Sequence, residues 1–150
     1  MSGRARLAND AWESLLTVHA TFMKRFAAAP VWGGVSLKEY DVLYSLAKAE
    51  APVRLTDLHR RVLLSQPALS RLVDRLVERG LVERREDAGD RRVVRLTLTP
   101  EGQRRQREVG AAHARDVTAA MTATGVSDAD LDELMRIARA LLGPQKETES

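Results

Sequence analysis

Five residues in the stretch "QPALSR" have side chains that match the edges of nucleic-acid bases: Gln66, Pro67, Ala68, Ser70 and Arg71. Glutamine suits adenine, arginine suits guanine, serine suits either, and a small apolar group fits a thymine methyl. A helix in the major groove reads bases chiefly with its N-terminal residues, so such a set belongs at the start of a helix. A second group lies in "RREDAGDRRVVRLTLTP", Arg84 to Pro100, where Arg91 and Arg92 follow a glycine-centred turn. Arginines at the tip of an extended ribbon suit phosphates, or the concentrated negative potential of a narrow minor groove. Asp90 would be repelled by phosphate, and its chemistry is instead that of a turn cap or an arginine partner. The alternative is a solvated hairpin without a role, whose charge would more often mix in lysine and glutamate.

The flanking sequence contains the elements needed to hold these groups. Ser65 is a good N-cap and Pro67 is tolerated in a first turn, while Leu69, Leu72, Val73, Leu76 and Val77 repeat at helical spacing. This predicts a helix over 66–79, ended by Gly80, with Pro67, Arg71, Asp74, Arg75 and Glu78 on the face opposite the stripe. Ser65 and Arg75 complete the candidate base- and phosphate-contacting set. Just upstream, Thr56 can cap a brief helix through Leu58 and Val62, and two helices so close in sequence must turn sharply against each other. Downstream, Leu81–Arg85 and Val93–Leu98 are β-rich, and Asp87–Asp90 supplies turn chemistry between them. "VRL" at Val53–Leu55 can add a third strand.

Helices are expected on both sides. Trp12, Leu15, Leu16, Phe22, Met23 and Phe26 form a stripe with His19 on it, in a helix that Pro30 and Gly33-Gly34 end. Ser36 to Glu39 reads as a capping box opening a helix that buries Leu37, Tyr40, Leu43, Tyr44 and Ala47 and stops before Pro52. Thr99-Pro100-Glu101 starts a long alanine-rich helix reaching toward Gly125. Ser127 opens another, burying Leu131, Leu134, Met135, Ala138, Leu141 and Leu142, with Gly143-Pro144 as its stop. The tail over 144–150 is expected to be disordered.

Composition narrows the function classes. A chain of 150 residues suits one domain. No apolar run is long enough to span a bilayer, the start has no apolar core that would make it a secretory signal, and a cytoplasmic protein without membrane partners is expected. With no cysteine, thiolate metal sites and thiol redox sensing are excluded. The formal charge of +3 is small, but arginine greatly outnumbers lysine and clusters between Arg54 and Arg107. That pattern suits a polyanionic partner, and a surface made arginine-rich by genomic base composition would produce it equally well.

The two motifs together carry a resemblance. "LSQPALSRLVDRLVERGLVERR" followed by "DRRVVRLTLTPEG" resembles the recognition helix and wing of the MarR family of winged helix-turn-helix regulators. The family's wing signature is met by Asp90, Arg92, Leu98 and Thr99, with Gly102 following. The resemblance implies a mainly α fold with a small β-hairpin wing, in which a winged lobe over about 36–98 is flanked by dimerisation helices over about 7–30 and 100–143. It further implies a homodimeric repressor on a pseudo-palindromic double-stranded DNA operator, released by a small aromatic or phenolic ligand. His59 and Leu63 depart from the alanine and glycine that members commonly have before and within the turn. The lack of cysteine argues against the peroxide-sensing branch.

The apolar stripes of the outer helices support a dimer independently, because they flank a lobe that already closes its own core. Trp12, Leu131, Leu134, Leu141 and Leu142 are the expected interface residues. His19, Tyr40 and Tyr44 are the candidate lining of an effector pocket suited to an aromatic carboxylate, although a histidine on an apolar stripe is also commonly one bonded within a core. Three other readings compete with this one. An enzyme would need a nucleophile or carboxylate at telling distance from His19, His59 or His113, and none is present. A zinc sensor would need a recurring ligand spacing, so no metal and no cofactor is expected. An architectural or regulatory DNA binder without an effector is the remaining alternative.

Overall fold

The computed structural model describes residues 2–143. The order is α1 (Gly3–Ala27), α2 (Leu37–Ala47), β1 (Val53–Arg54), α3 (Leu55–His59), α4 (Gln66–Glu78), β2 (Val82–Glu86), β3 (Val94–Leu98), α5 (Pro100–Thr122) and α6 (Asp128–Leu142). The chain divides into two compact units, one ending at Arg115 and one beginning at Asp116, so the division falls within α5. The expected tail and the stop at Pro144 lie outside the described residues.

In the first unit, β2 and β3 form an antiparallel hairpin and β1 joins its far edge, giving the sheet order β1-β3-β2. Val82 pairs with Leu98 at the base of the hairpin and Glu86 with Val94 toward its tip. Burial follows that position: Leu96 and Leu98 are buried, whereas Val94 is exposed because it lies out along the wing. The core joins Val42, Leu43 and Leu46 of α2, Leu58 of α3, and Leu69, Leu72, Val73 and Leu76 of α4 to Leu81, Val82 and Leu96.

Two stripes differ from the sequence expectation. On α2 Leu37, Tyr40 and Leu43 are buried as expected, but Glu39, Val42 and Leu46 complete the buried face, while Tyr44 and Ala47 are exposed. The buried face is therefore shifted toward Val42 and Leu46, the side that α3, α4 and the sheet cover. In the short helix before the turn, the chain is already helical at Leu55, with Arg54 as N-cap and no side-chain cap, so Thr56 lies inside the helix instead of capping it.

The other caps read from the sequence are present. Ser36 and Glu39 form the capping box of α2, and Ser65 accepts from the Ala68 amide at the start of α4. Gly80 closes α4 at φ +68, with its own N–H bonded to the Val77 carbonyl and that of Leu81 to the Leu76 carbonyl. This is the double bond of a left-handed helix cap, which only glycine adopts without steric cost. Thr99 accepts from the Gly102 amide at 3.0 Å and donates to the Gly80 carbonyl at 2.6 Å, fastening the start of α5 to the end of α4.

α1 begins earlier than its apolar stripe suggests, with Ser2 as N-cap. Among its residues only Phe26 is buried. In the second unit, α6 opens with a capping box from Ser127 and Asp130 and has no buried residue. Its expected burial of Leu134, Met135, Leu141 and Leu142 therefore does not occur within one chain: all four are exposed, as is Ile137, and Leu131 is half-buried.

Candidate nucleic-acid interface

α4 presents its amphipathic halves as its sequence requires. Leu69, Leu72, Val73 and Leu76 face the core, and Ser65, Gln66, Pro67, Arg71 and Arg75 are exposed. Ala68 and Ser70 are half-buried at the edge of the open face. The start of a helix carries partial positive charge, which favours an anion there, although in α4 Pro67 has no N–H and the Ala68 amide is taken by Ser65. The polar donors and acceptors thus sit beside the end of the helix best able to approach a phosphate-flanked groove.

The wing carries the second group. Val93 donates to the Asp90 carbonyl and Asp87 to the Val93 carbonyl, both at 2.9 Å, which closes the turn between β2 and β3. Arg91 and Arg92 are exposed at that turn, Arg92 with 91% of its side chain accessible. Asp90 takes the role of arginine partner and turn cap: its Oδ1 accepts from the Arg92 amide at 3.0 Å and from Arg92 Nε at 3.2 Å. These bonds, the Arg92 side chain first, hold the Asp90 carboxyl below its ordinary pKa.

The wing is anchored, next to its turn, by a different carboxylate. Asp87 accepts from the Gly89 amide at 3.1 Å and from Arg95 Nε at 2.9 Å, and Arg54 lies 3.7 Å away. Arg95 also donates to the Pro52 carbonyl at 3.3 Å, tying the hairpin to the segment before β1. The Gly89 bond, and after it the Arg95 bond, lowers the Asp87 pKa.

Three of the expected residues are placed in unanticipated ways. Arg75 is exposed, but its Nε lies 3.8 Å from Glu39 of α2, so the lobe already holds this cation. His19 is exposed on α1, not set in a buried stripe. Tyr40 is buried and lies 6.0 Å ring to ring from the exposed Tyr44. The histidine near Tyr40 is His113 of α5, at 5.6 Å, in a cluster with Phe26 and Trp32. Burial raises the Tyr40 pKa, against a bond from Gln106 that lowers it. A cleft of about 470 Å³ opens beside the end of α2 and the start of α5, lined by Leu46, Pro52, Leu98, Gln103, Gln106 and Arg107 among others, and by none of His19, Tyr40 or Tyr44.

Sequence reading passed over several groups on this side. Arg60 and Arg61 are exposed in the turn between α3 and α4, and Leu63 in the same turn is 92% accessible. The signal was present in "HRRVLLS", a basic pair at the end of a short helix, which suits backbone phosphate. His59 uses its place structurally, bonding the Leu64 carbonyl through Nε2 at 2.8 Å. Among the described residues no group of His, Asp and Glu could hold a metal ion, and no helix is long and apolar enough to cross a membrane.

Residues 33–93, from the turn before α2 to the far side of the wing, match the MarR family. This matched segment is similar to the winged lobe of MarR-family regulators. The likeness of fold extends beyond it. The transcriptional regulator BldR from Sulfolobus solfataricus is similar with a TM-score of 0.79 at 23% identity, over 95% of this chain and 98% of that one. MarR of Staphylococcus aureus, in complex with salicylate and kanamycin, is similar with a TM-score of 0.77 at 20% identity, over 91% of each chain. BpsR of Bordetella bronchiseptica, whose DNA binding is regulated by 6-hydroxynicotinic acid, is similar with a TM-score of 0.76 at 20% identity, over 89% of this chain and 93% of that one. At these identities the likeness establishes the shared winged-helix fold. Among curated protein sequences none matches the chain significantly.

Proposed function

We propose that this protein is a regulator of the MarR family, a cytoplasmic homodimeric repressor that binds a pseudo-palindromic DNA operator. The observation that carries the reading is the exposure of Gln66, Pro67 and Arg71 at the open end of α4 together with Arg91 and Arg92 on the wing. One module would enter the major groove while the other follows phosphates or the neighbouring minor groove. The open apolar faces of α1, with Trp12, and of α6, with Leu134, Leu141 and Leu142 beside the half-buried Leu131, support a second copy as their cover. Twofold symmetry then sets the recognition helices about 34 Å apart, one turn of DNA.

Release from DNA is assigned to a small aromatic ligand beside Tyr40 and Tyr44, with His19 of α1 contributing from its exposed position. A ligand there can act only through unequal affinity for the DNA-competent and incompetent geometries. Anisotropy titration of the intact chain with duplexes selected from a random library tests the main reading. Selected and random duplexes binding alike would replace it with the architectural reading.

A further inference from the structure

We infer that Glu39 and Arg79 are positioning residues that set the angle at which α4 is presented, without themselves touching DNA; this rests on the proposed reading of α4 as the recognition helix. Glu39 is the one charged residue among the described residues that is buried. Its carboxylate is shared by two helices. Oε2 accepts from the Ser36 amide at 2.9 Å, closing the capping box of α2, and from Arg79 Nη1 at 3.0 Å, while Oε1 faces Arg75 at 3.8 Å. Arg79 is the C-cap of α4, and its other terminal nitrogen donates to the Gly34 carbonyl at 2.7 Å. Gly34 has φ +87, and the preceding Gly33, at φ +53, offers its carbonyl to Arg105 of α5 at 2.7 Å. One short turn therefore receives an arginine from α4 and another from α5 through successive carbonyls.

The arrangement has the character of a pivot. A buried carboxylate requires paired and hydrogen-bonded partners, so Glu39 holds Arg79 by the cost of leaving the carboxylate alone, while Arg79 itself keeps contact with solvent. The clamp grips the end of α4 remote from Gln66 and Arg71. At 1.5 Å rise per residue a helix of this length spans about 18 Å, so a tilt of about 5° at the pivot moves its far end by about 1.5 Å, enough to break a base-edge hydrogen bond. Arg79 has both terminal nitrogens engaged by Glu39 and Gly34, although sequence alone gives it the same claim to a phosphate as Arg71 and Arg91.

Arg79→Gln and Glu39→Gln test the assignment, each measured on a duplex selected by the parent chain and on random duplex over a range of salt, with thermal unfolding alongside. Expected is a loss of about tenfold on the selected duplex, under twofold on random DNA, and an unchanged slope of log affinity against log salt. A lost phosphate contact would instead weaken both duplexes together and reduce the slope by about 0.9. That result, or parent-like discrimination in either folded variant, overturns the inference. Amide exchange in the free protein is the second readout and needs no DNA. The last turn of α4 should lose protection in both variants while the middle of α5 keeps it, and equal protection along α4 also overturns the clamp. A parent chain that fails to discriminate between duplexes defeats the proposed function, while the exchange pattern still decides the clamp.

Discussion

Replacing Gly102 by alanine places a methyl group where the fold has no room. Gly102 lies in the first turn of α5, and a Cβ there would stand 1.9 Å from the Leu81 carbonyl oxygen and 2.9 Å from its carbon. The obstacle is backbone, so no side-chain rotation relieves it, and the start of α5 must move off the end of α4. That movement strains the Thr99 amide bond to the same Leu81 carbonyl, 3.1 Å in the parent, and the Thr99 hydroxyl bond to Gly80. Overpacking of this kind costs about 1–3 kcal/mol, and a weakened hydrogen bond adds about 1 kcal/mol. Alanine returns up to about 1 kcal/mol through its higher helix propensity. The net expectation is a loss of about 2 kcal/mol, read as a fall of about 4–8 °C in the thermal midpoint by circular dichroism. Gly3→Ala, also helical but with nothing within 4 Å of the new methyl, is the control and should hold or raise the midpoint. A Gly102→Ala protein as stable as the parent would refute the close-approach reasoning.

Arg71→Ala should weaken binding to a selected duplex by about 1–3 kcal/mol while changing random-DNA affinity less, whereas Arg92→Ala should weaken both and leave the preferred half-site unchanged; anisotropy on both duplexes distinguishes them. Leu134→Glu combined with Leu141→Glu should yield a monomer in sedimentation at micromolar concentration, and a persisting dimer would mean that another surface joins the copies. The Asp87 carboxyl is held below its ordinary 3.8, so its contribution is present above that value and lost as pH falls through the lower folded value. Between about pH 6 and about pH 3 the thermal midpoint of Asp87→Asn should therefore fall less than that of the parent, and parallel falls would exclude the wing anchor as a source of acid sensitivity. Because His19 is exposed, His19→Ala should keep its stability within about 0.5 kcal/mol and still bind DNA, but respond less to salicylate used as the probe; an unchanged response removes His19 from the ligand site.

What the sequence determines is mostly local. Ser36 with Glu39, Ser65, Gly80, and Thr99 before Pro100 mark helix ends because capping chemistry acts over three or four residues. The α4 stripe is equally legible, since a single apolar set at helical spacing leaves only one face to bury. So is the hairpin, whose turn residues and alternating strands are adjacent in the chain. Where two faces compete, local pattern does not suffice: α2 buries Val42 and Leu46 in preference to Tyr44 and Ala47 because α3, α4 and the sheet lie on that side. The division of the arginines is also tertiary. Arg71, Arg79 and Arg95 look alike in sequence, yet Arg79 is drawn to Glu39 and Gly34, far away in the chain, and Arg95 to Asp87 and Pro52. His113 joins Phe26, Trp32 and Tyr40 for the same reason, while His19, on the more apolar stripe, stays exposed. Spacing along a helix fixes which residues share a face, but which face is covered, and which charge meets which, depends on segments that sequence proximity does not bring together.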